Sequence, residues 1–260
     1  MITQIGPLSV HTYGEADKQP VLFVHGFPFD HTMWKEQISV LKENFFCVAY
    51  DVRGLGKSIV REGQFTMEMY VDDLFNILDK LNLQKPYLCG LSMGGYIALR
   101  AVERDQNKFK GIILCDTRSD ADNNEGKLKR ANAIKSINEN GVDIFVEGFV
   151  SGLFADDTKE LNPDLYNSVM KRCKKSTPLG VKGALIAIMS RTDTTPSLSN
   201  ISIPALVLCG SFDTLTPPVV MRAMAEKIKG SEFAVIPRAG HLAPLENPDC
   251  VNDLIIKFLK

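Results

Sequence analysis

The chain has 260 residues, of which 45% are hydrophobic and 23% are charged, so it can bury a sizeable core and is neither a disordered chain nor a coiled coil. Its 30 Lys and Arg residues and 31 Asp and Glu residues leave a formal net charge of −1, which gives no overall attraction to nucleic acid or an anionic membrane. The amino terminus lacks the basic and apolar regions of a signal peptide, and no apolar run approaches the roughly 20 residues that span a bilayer. We therefore expect a soluble, cytoplasmic protein without nucleic-acid partners or membrane insertion.

Short apolar runs alternate with segments of helical periodicity along most of the chain. Buried strands are predicted at 21–24, 46–50, 86–91, 111–115, 205–209 and 233–236. Helices are predicted at 31–44, 66–81, 96–102 and 246–259. Near-continuous apolar strands that alternate with helices indicate an α/β fold, with a mostly parallel central sheet and helices on both faces. The more polar residues 1–13 are expected to add antiparallel edge strands.

One stretch departs from this alternation. Between Asp116 and Pro204 no buried strand is predicted, and helical periodicity recurs near 126–139, 142–152, 162–175 and 178–190. A segment of about 80 residues has the size of a small subdomain. We therefore predict a core formed by residues 1–117 and 201–260, which a helical insertion at 118–200 interrupts.

The cysteines and histidines indicate neither disulfides nor metal. Four of the six cysteines (Cys47, Cys89, Cys115 and Cys209) fall in or at the end of apolar, strand-like runs, as small buried side chains do in proteins of a reducing compartment. The chain has no Cys-x-x-Cys pair, and its four histidines lack the spacing of metal ligands. We expect no metal site and no cofactor.

The clearest chemical signal is the motif Gly-x-Ser-x-Gly at residues 90–94, which has Ser92 at its centre. A predicted strand precedes the motif and a helix follows it, which is the context of a nucleophile elbow, a sharp turn that exposes a reactive serine. Glycine suits positions 90 and 94 because neighbouring groups in such a turn leave no room for a Cβ. Backbone N–H groups at the helix start favour developing negative charge. Ser92 is therefore the candidate nucleophile.

A serine hydroxyl needs a base to take its proton, and the candidate base is His241. It follows the last predicted strand and precedes the final helix, which fits the order Ser, Asp, His along the chain. The carboxylate that orients the imidazole is expected to be Asp213, just after the strand at 205–209. Asp116, directly after the strand at 111–115, remains the alternative.

Acyl transfer also needs hydrogen-bond donors for the oxyanion of its tetrahedral intermediate. The backbone N–H of Met93, directly after the nucleophile, is one expected donor. The N–H of Phe27 is the other, because Gly26 lets the loop after the strand at 21–24 turn in closely. His25, in the same loop, is expected to brace the loop rather than to transfer protons.

Five motifs, in this order, resemble the α/β-hydrolase superfamily over essentially the whole chain. They are His-Gly-Phe-Pro at 25–28, Asp-x-Arg-Gly-x-Gly-x-Ser at 51–58, Gly-x-Ser-Met-Gly-Gly at 90–95, Gly-x-x-Asp at 210–213 and Gly-His at 240–241. Within the superfamily, the chain is most similar to small carboxylesterases and 3-oxoadipate enol-lactonases. The resemblance implies a helical cap between the sixth and seventh strands, and it implies the roles given above to Ser92, Asp213, His241, Phe27 and Met93. Dehalogenases and epoxide hydrolases of this fold would carry aspartate at position 92.

The substrate pocket is expected to lie between the elbow, the neighbouring loops and the underside of the insertion. Its predicted lining is mainly apolar and comprises Phe29, Phe145, Phe149, Met189, Phe212, Leu215 and Leu242. Such a lining favours an apolar acyl or alcohol group of modest size. His31 and Arg118 are candidates for binding a substrate carboxylate, as an enol-lactone would require.

Together these residues predict a serine hydrolase that cleaves small, mainly apolar carboxylic esters through an acyl-enzyme, with no metal or cofactor. An enol-lactonase or a C–C bond hydrolase is the alternative within the same chemistry. A second hypothesis is a slow or non-catalytic small-molecule receptor, because neither a fold nor a site by itself determines function. The expected small-molecule partner is thus an ester or a lactone. Both a monomer and a homodimer agree with the sequence.

Overall fold

The computed structural model describes residues 1–260 and contains one sheet of eight strands in the order β1-β2-β4-β3-β5-β6-β7-β8. The strands are β1 (Ile2–Ile5), β2 (Leu8–Tyr13), β3 (Pro20–Val24), β4 (Phe46–Tyr50), β5 (Tyr87–Leu91), β6 (Gly111–Cys115), β7 (Ala205–Gly210) and β8 (Glu232–Ile236). Strand β2 pairs antiparallel with β1 and β4, and every other neighbouring pair is parallel. The predicted α/β fold and its antiparallel edge are therefore confirmed.

Eleven α-helices surround the sheet. They are α1 (Lys35–Leu41), α2 (Met67–Lys80), α3 (Met93–Asp105), α4 (Asn124–Asn140), α5 (Val142–Ser151), α6 (Thr158–Leu161), α7 (Pro163–Cys173), α8 (Pro178–Met189), α9 (Pro218–Ala225), α10 (Ala243–Glu246) and α11 (Pro248–Leu259). Short 3₁₀ helices occur at His31–Trp34, Gln106–Lys108 and Thr195–Asn200. No helix is both long enough and apolar enough to cross a membrane.

Two predicted helices are divided in the structure. The segment predicted as one helix at 31–44 is a 3₁₀ turn followed by α1. The segment predicted at 246–259 is interrupted at Asn247, which separates α10 from α11. Proline disfavours a helical conformation in the residue before it, and Pro248 follows Asn247. The Asn247 side chain then caps α11 by accepting the N–H of Cys250 at 3.4 Å.

The central strands β5, β6 and β7 are buried along their whole length. Successive side chains of a strand point to opposite faces, so continuous burial means that helices cover both faces of the sheet. Cys89, Cys115 and Cys209 are buried on these strands and Cys47 is buried on β4, and all six cysteines are free thiols. The sequence shows this core as unbroken apolar runs rather than as alternating patterns.

The segment between β6 and β7 contains helices only, namely α4 to α8 and the 3₁₀ helix Thr195–Asn200. Helix α4 packs against α5 and α8, and α5 packs against α7. Helices α4, α5, α7 and α8 match the predicted segments, whereas the four-residue helix α6 was not predicted. We propose that residues 118–200 form a cap on a core of residues 1–117 and 201–260, and "cap" is used below in this sense.

Candidate active site

Ser92 occupies the sharp turn between β5 and α3, with φ of +52° and ψ of −112°. This conformation is strained for a residue with a side chain. The turn forms because the glycines on either side have no Cβ: a Cβ on Gly90 would lie 2.3 Å from the Gly94 carbonyl oxygen, and a Cβ on Gly94 would lie 2.1 Å from the Val24 carbonyl oxygen. The strain is typical of a residue held in place for function.

His241 lies between Ser92 and Asp213 and forms a hydrogen bond with each. Its Nε2 is 2.8 Å from Ser92 Oγ, and its Nδ1 is 2.9 Å from Asp213 Oδ2. Because the Nδ1–H donates to the carboxylate, Nε2 is free to accept the serine proton. Ser92 is 8% exposed, His241 is 2% exposed and Asp213 is 3% exposed, so little water competes for these hydrogen bonds. The structure thus brings the three predicted residues together.

The Asp213 carboxylate is oriented by its own turn. Its Oδ1 accepts the N–H groups of Leu215 and Thr216 at 2.8 and 2.9 Å, and its Oδ2 accepts the Thr216 hydroxyl at 2.5 Å. Burial disfavours the charged carboxylate, but the hydrogen bonds and charge of His241 and the Thr216 bonds outweigh it, so the pKa of Asp213 lies below its ordinary value. Thr216 was not among the predicted site residues, although Asp followed by Thr three residues later is typical of a side-chain-bonded turn.

Asp116, the alternative carboxylate, forms no hydrogen bond with His241. Its Oδ1 accepts the N–H of Gly210 at 2.7 Å, and its Oδ2 is buried without a hydrogen-bond partner. Burial and the nearby negative charge of Asp213 raise the pKa of Asp116 well above its ordinary value. Because Asp213 and not Asp116 is hydrogen-bonded to the imidazole, the geometry favours Asp213 as the orienting acid.

Phe27 and Met93 are buried residues whose backbone N–H groups form no hydrogen bond within the protein. Strands β3 and β5 are neighbours, so the loops that follow them lie side by side. His25 braces the first loop, because its Nε2 accepts the N–H of Val52 at 2.8 Å and its Nδ1–H donates to the Gly26 carbonyl at 2.7 Å. Unpaired donors at this place are suited to an oxyanion.

An aromatic cluster connects the cap to the loop after β3. The rings of Phe145 and Phe149 on α5 stack on each other with centroids 5.4 Å apart. The Phe27 ring lies 6.0 Å from the first and 5.7 Å from the second. Leu242, directly after His241, is fully buried. The structure therefore places three of the predicted pocket residues (Phe145, Phe149 and Leu242) against segments that carry the proposed catalytic groups.

Other predicted lining residues lie elsewhere. Phe212 and Leu215 flank Asp213 but are 55% and 37% exposed, because the turn directs its carboxylate inward and these side chains outward. Met189 is half-buried in the last turn of α8.

Arg118, predicted as a carboxylate ligand, forms a two-point ion pair with Asp120, with both N–O distances at 2.7 Å. Its guanidinium is therefore already occupied by a neighbour two residues away.

His31 lines a cleft that does not contain Ser92. Its Nδ1 donates to Asp51 Oδ1 at 2.7 Å, and its ring stacks on His11 at 3.4 Å. The cleft has a volume of about 790 Å³. It is lined by residues of the segment 28–36, which leads into α1, by residues of α7 and by Leu245, Glu246 and Pro248. Phe29 and His31 thus share a wall of this cleft.

Two groups of side chains bring possible metal ligands within 4.8 Å of one another. They are His11, His31 and Asp51 in one group, and Asp116, Cys209 and Asp213 in the other. The rings of the two histidines are nearly parallel, at 11°, so their nitrogen lone pairs cannot converge on one ion. In the second group Asp213 is engaged by His241 and Thr216. Contacts within the protein thus account for side chains of both groups.

The chain belongs to the α/β-hydrolase fold family, whose sequence profile matches residues 19–248. It is thus a hydrolase of the α/β fold. The 3-oxoadipate enol-lactonase 1 of Acinetobacter baylyi is 30% identical over 253 residues, which cover 97% of this chain and 93% of that protein.

Solved structures agree with this assignment. A thermophilic esterase from Thermogutta terrifontis, with malate bound, has 38% identity and a TM-score of 0.93, and the match covers 97% of this chain and 92% of that one. The enol-lactonase from Burkholderia xenovorans LB400 has 24% identity and a TM-score of 0.91, with 100% and 99% covered, and shows the same fold.

Proposed function

We propose that the protein is a carboxylic ester hydrolase in which Ser92, His241 and Asp213 form a catalytic triad. The observation that carries the proposal is the unbroken hydrogen-bond chain from Ser92 Oγ through the imidazole to the Asp213 carboxylate, at 2.8 and 2.9 Å. A nucleophile, a base and an orienting acid in this order are the requirements of nucleophilic acyl transfer. The similarity to an esterase and to an enol-lactonase, whose substrates share an acyl–oxygen bond, supports the same reaction class.

In the acylation step, His241 Nε2 takes the Ser92 proton while Oγ attacks the carbonyl carbon of the ester. The oxyanion that forms accepts hydrogen bonds from the N–H groups of Phe27 and Met93, which have no other acceptor. Collapse of the intermediate breaks the bond to the alkoxy oxygen, and His241 gives its proton to the leaving alcohol. The Asp213 carboxylate stabilises the imidazolium in between.

Deacylation repeats these steps with water in the place of serine. His241 removes a proton from the water, the hydroxide attacks the acyl carbon, and the proton returns to Ser92 Oγ as the carboxylic acid leaves. Every proton transfer and charge is handled by groups of the protein. The proposed reaction therefore requires no metal or cofactor.

The substrate class that we propose is a small ester with an apolar acyl group. The rings of Phe27, Phe145 and Phe149 provide a compact apolar wall next to the proposed oxyanion donors. Such surfaces bind alkyl groups by excluding water, with about 0.8 kcal/mol for each methylene buried. Acyl chains of a few carbons are the expected optimum.

An enol-lactonase is the second candidate, and the 30% identity to a 3-oxoadipate enol-lactonase over 97% of the chain favours it. Such a lactone also carries a carboxylate, which needs a polar partner. Arg118 is paired with Asp120, and His31 lines a cleft whose lining does not include Ser92. The sequence identity is therefore the observation that favours this second candidate.

The test compares wild type and Ser92→Ala on p-nitrophenyl acetate, butyrate and octanoate, and on 3-oxoadipate enol-lactone. Turnover of the aryl esters that is lost in Ser92→Ala supports the esterase, and the ranking of the three esters measures the acyl pocket. A kcat/KM at least about a hundredfold higher on the lactone supports the second candidate. A folded wild type without turnover on all four compounds would contradict both and favour a receptor.

A further inference from the structure

Glu246, at the end of α10, is a half-buried acid that the proposed mechanism does not use. Its Oε2 accepts the N–H of Gly240 at 2.8 Å. Its Oε1 accepts the N–H of Ala155 at 2.8 Å and the Thr158 hydroxyl at 2.5 Å. Gly240 directly precedes His241, whereas Ala155 and Thr158 belong to the cap. One carboxylate therefore joins the backbone of the proposed catalytic base to the cap.

The same two segments also touch through their backbones. The N–H of His241 donates to the Leu153 carbonyl at 2.7 Å. A Cβ on Gly240 would lie 2.5 Å from the Ala155 nitrogen and 2.6 Å from the Phe154 carbonyl carbon, so this contact is possible only with glycine at position 240. The backbone that carries His241 therefore depends on where cap residues 153–158 lie.

The hydrogen bonds around Glu246 require an acceptor oxygen on each side of the carboxyl group. The N–H groups of Gly240 and Ala155 can only donate, and they meet Oε2 and Oε1 respectively, while the Thr158 hydroxyl also contacts Oε1. An amide in its place can accept at its oxygen only, which leaves the N–H of Gly240 or Ala155 buried without a partner. Burial raises the pKa of Glu246, while the hydrogen bonds from Thr158, Ala155 and Gly240 act in the opposite direction.

We propose that Glu246 is a positioning residue for His241: by holding Gly240 against cap residues 155–158, it keeps the imidazole within hydrogen-bond distance of Ser92. The inference rests on the proposed function, because it concerns the proton transfer assigned to His241. Glu246 makes no hydrogen bond to any of the three triad side chains, so its effect is through geometry alone. A misplacement of about 1 Å at a reacting group costs on the order of a hundredfold in rate.

The test is Glu246→Gln, assayed with p-nitrophenyl butyrate and with a fluorophosphonate that labels Ser92. We expect kcat and the labelling rate to fall together by about 30- to 100-fold with KM within about threefold of wild type, because both reactions need His241 to accept the serine proton. The low-field proton resonance of the His241 Nδ1–H should also shift. Glu160→Gln, at an exposed cap carboxylate without a hydrogen-bond partner, is the matched control and should behave as wild type.

If Glu246 had a purely structural role, Glu246→Gln would lower the unfolding temperature but would leave kcat, the labelling rate and the His241 Nδ1–H resonance unchanged. If folded Glu246→Gln keeps kcat and the labelling rate within about twofold of wild type, the inference is wrong. If Glu246→Gln does not fold, Thr158→Val takes its place, since it removes one donor from the same carboxylate. We expect that variant to lose kcat about three- to tenfold, and an unchanged kcat overturns the inference. Absence of Ser92-dependent turnover and labelling in wild type would instead contradict the proposed function.

Discussion

Asp116 and Asp213 follow the neighbouring parallel strands β6 and β7, yet only Asp213 is hydrogen-bonded to His241, at 2.9 Å. Asp116 instead accepts the N–H of Gly210 and buries its other oxygen without a partner. The charge of Asp213 contributes to the raised pKa of Asp116. The pKa values of these two neighbouring buried acids are therefore shifted in opposite directions, because a second negative charge beside that of Asp213 is costly.

Conversion of each acid to its amide separates their roles. Asp213→Asn should lower kcat by about 10⁴-fold, because an amide no longer stabilises the imidazolium and favours the wrong tautomer of His241. Asp116→Asn should keep kcat within about tenfold, because Asp116 does not contact the imidazole. The measurement is steady-state hydrolysis of p-nitrophenyl butyrate. A severe loss in Asp116→Asn with a mild loss in Asp213→Asn would reverse the assignment of the acid.

Asp116 should also make stability depend on pH. Its pKa is higher in the folded protein than in the unfolded chain, so folding opposes its ionisation. Wild type therefore loses stability as the pH rises above the ordinary pKa of aspartate, near 4, and Asp116→Asn does not. Urea unfolding of both proteins at pH 4 and pH 8 measures the effect. The stability of the variant relative to wild type should increase with pH, and a constant difference would contradict the raised pKa.

Asp51 should have the opposite pH dependence. Burial disfavours its charge, but hydrogen bonds and charge interactions, with His31 foremost, outweigh burial and lower the pKa of Asp51 to about 2. The stabilisation is present above the unfolded pKa, near 4, and is lost as the pH falls towards 2. A shift of nearly two units corresponds to about 2 kcal/mol. Asp51→Asn should therefore unfold more easily than wild type at pH 7, and the difference in unfolding free energy should shrink by about this amount at pH 2.

The Phe149 side chain should limit the length of the acyl chain that the enzyme accepts. Its ring lies 5.7 Å from Phe27 and 5.4 Å from Phe145, so Phe149→Ala opens space beside the proposed oxyanion donors. The ratio of kcat/KM for octanoate to that for acetate should rise about tenfold, which corresponds to about two more methylenes buried. Phe75→Ala is the control, because Phe75 packs against Phe109 away from the site. An unchanged ratio in Phe149→Ala would remove Phe149 from the acyl pocket.

The sequence by itself predicted the elements whose signals are local. Apolar runs mark β3 to β7, the glycines of the 90–94 motif mark the turn at Ser92, and helical periodicity marks α4, α5, α7 and α8. Burial of a strand and the shape of a tight turn depend mainly on the residues within them, so one chain segment carries the information. The order Ser, Asp, His also follows from the chain, because each residue comes after its own strand.

Contacts between distant segments were decided only by the tertiary structure. The choice between Asp116 and Asp213 depended on which carboxylate reaches His241. That choice is not encoded in a local pattern, because side chains of the same type that follow adjacent strands look alike in sequence. The Glu246 carboxylate, which accepts donors 6, 88 and 91 residues away, has no periodicity or motif spacing that predicts its partners. Folding alone brings the cap and the His241 backbone to the same carboxylate.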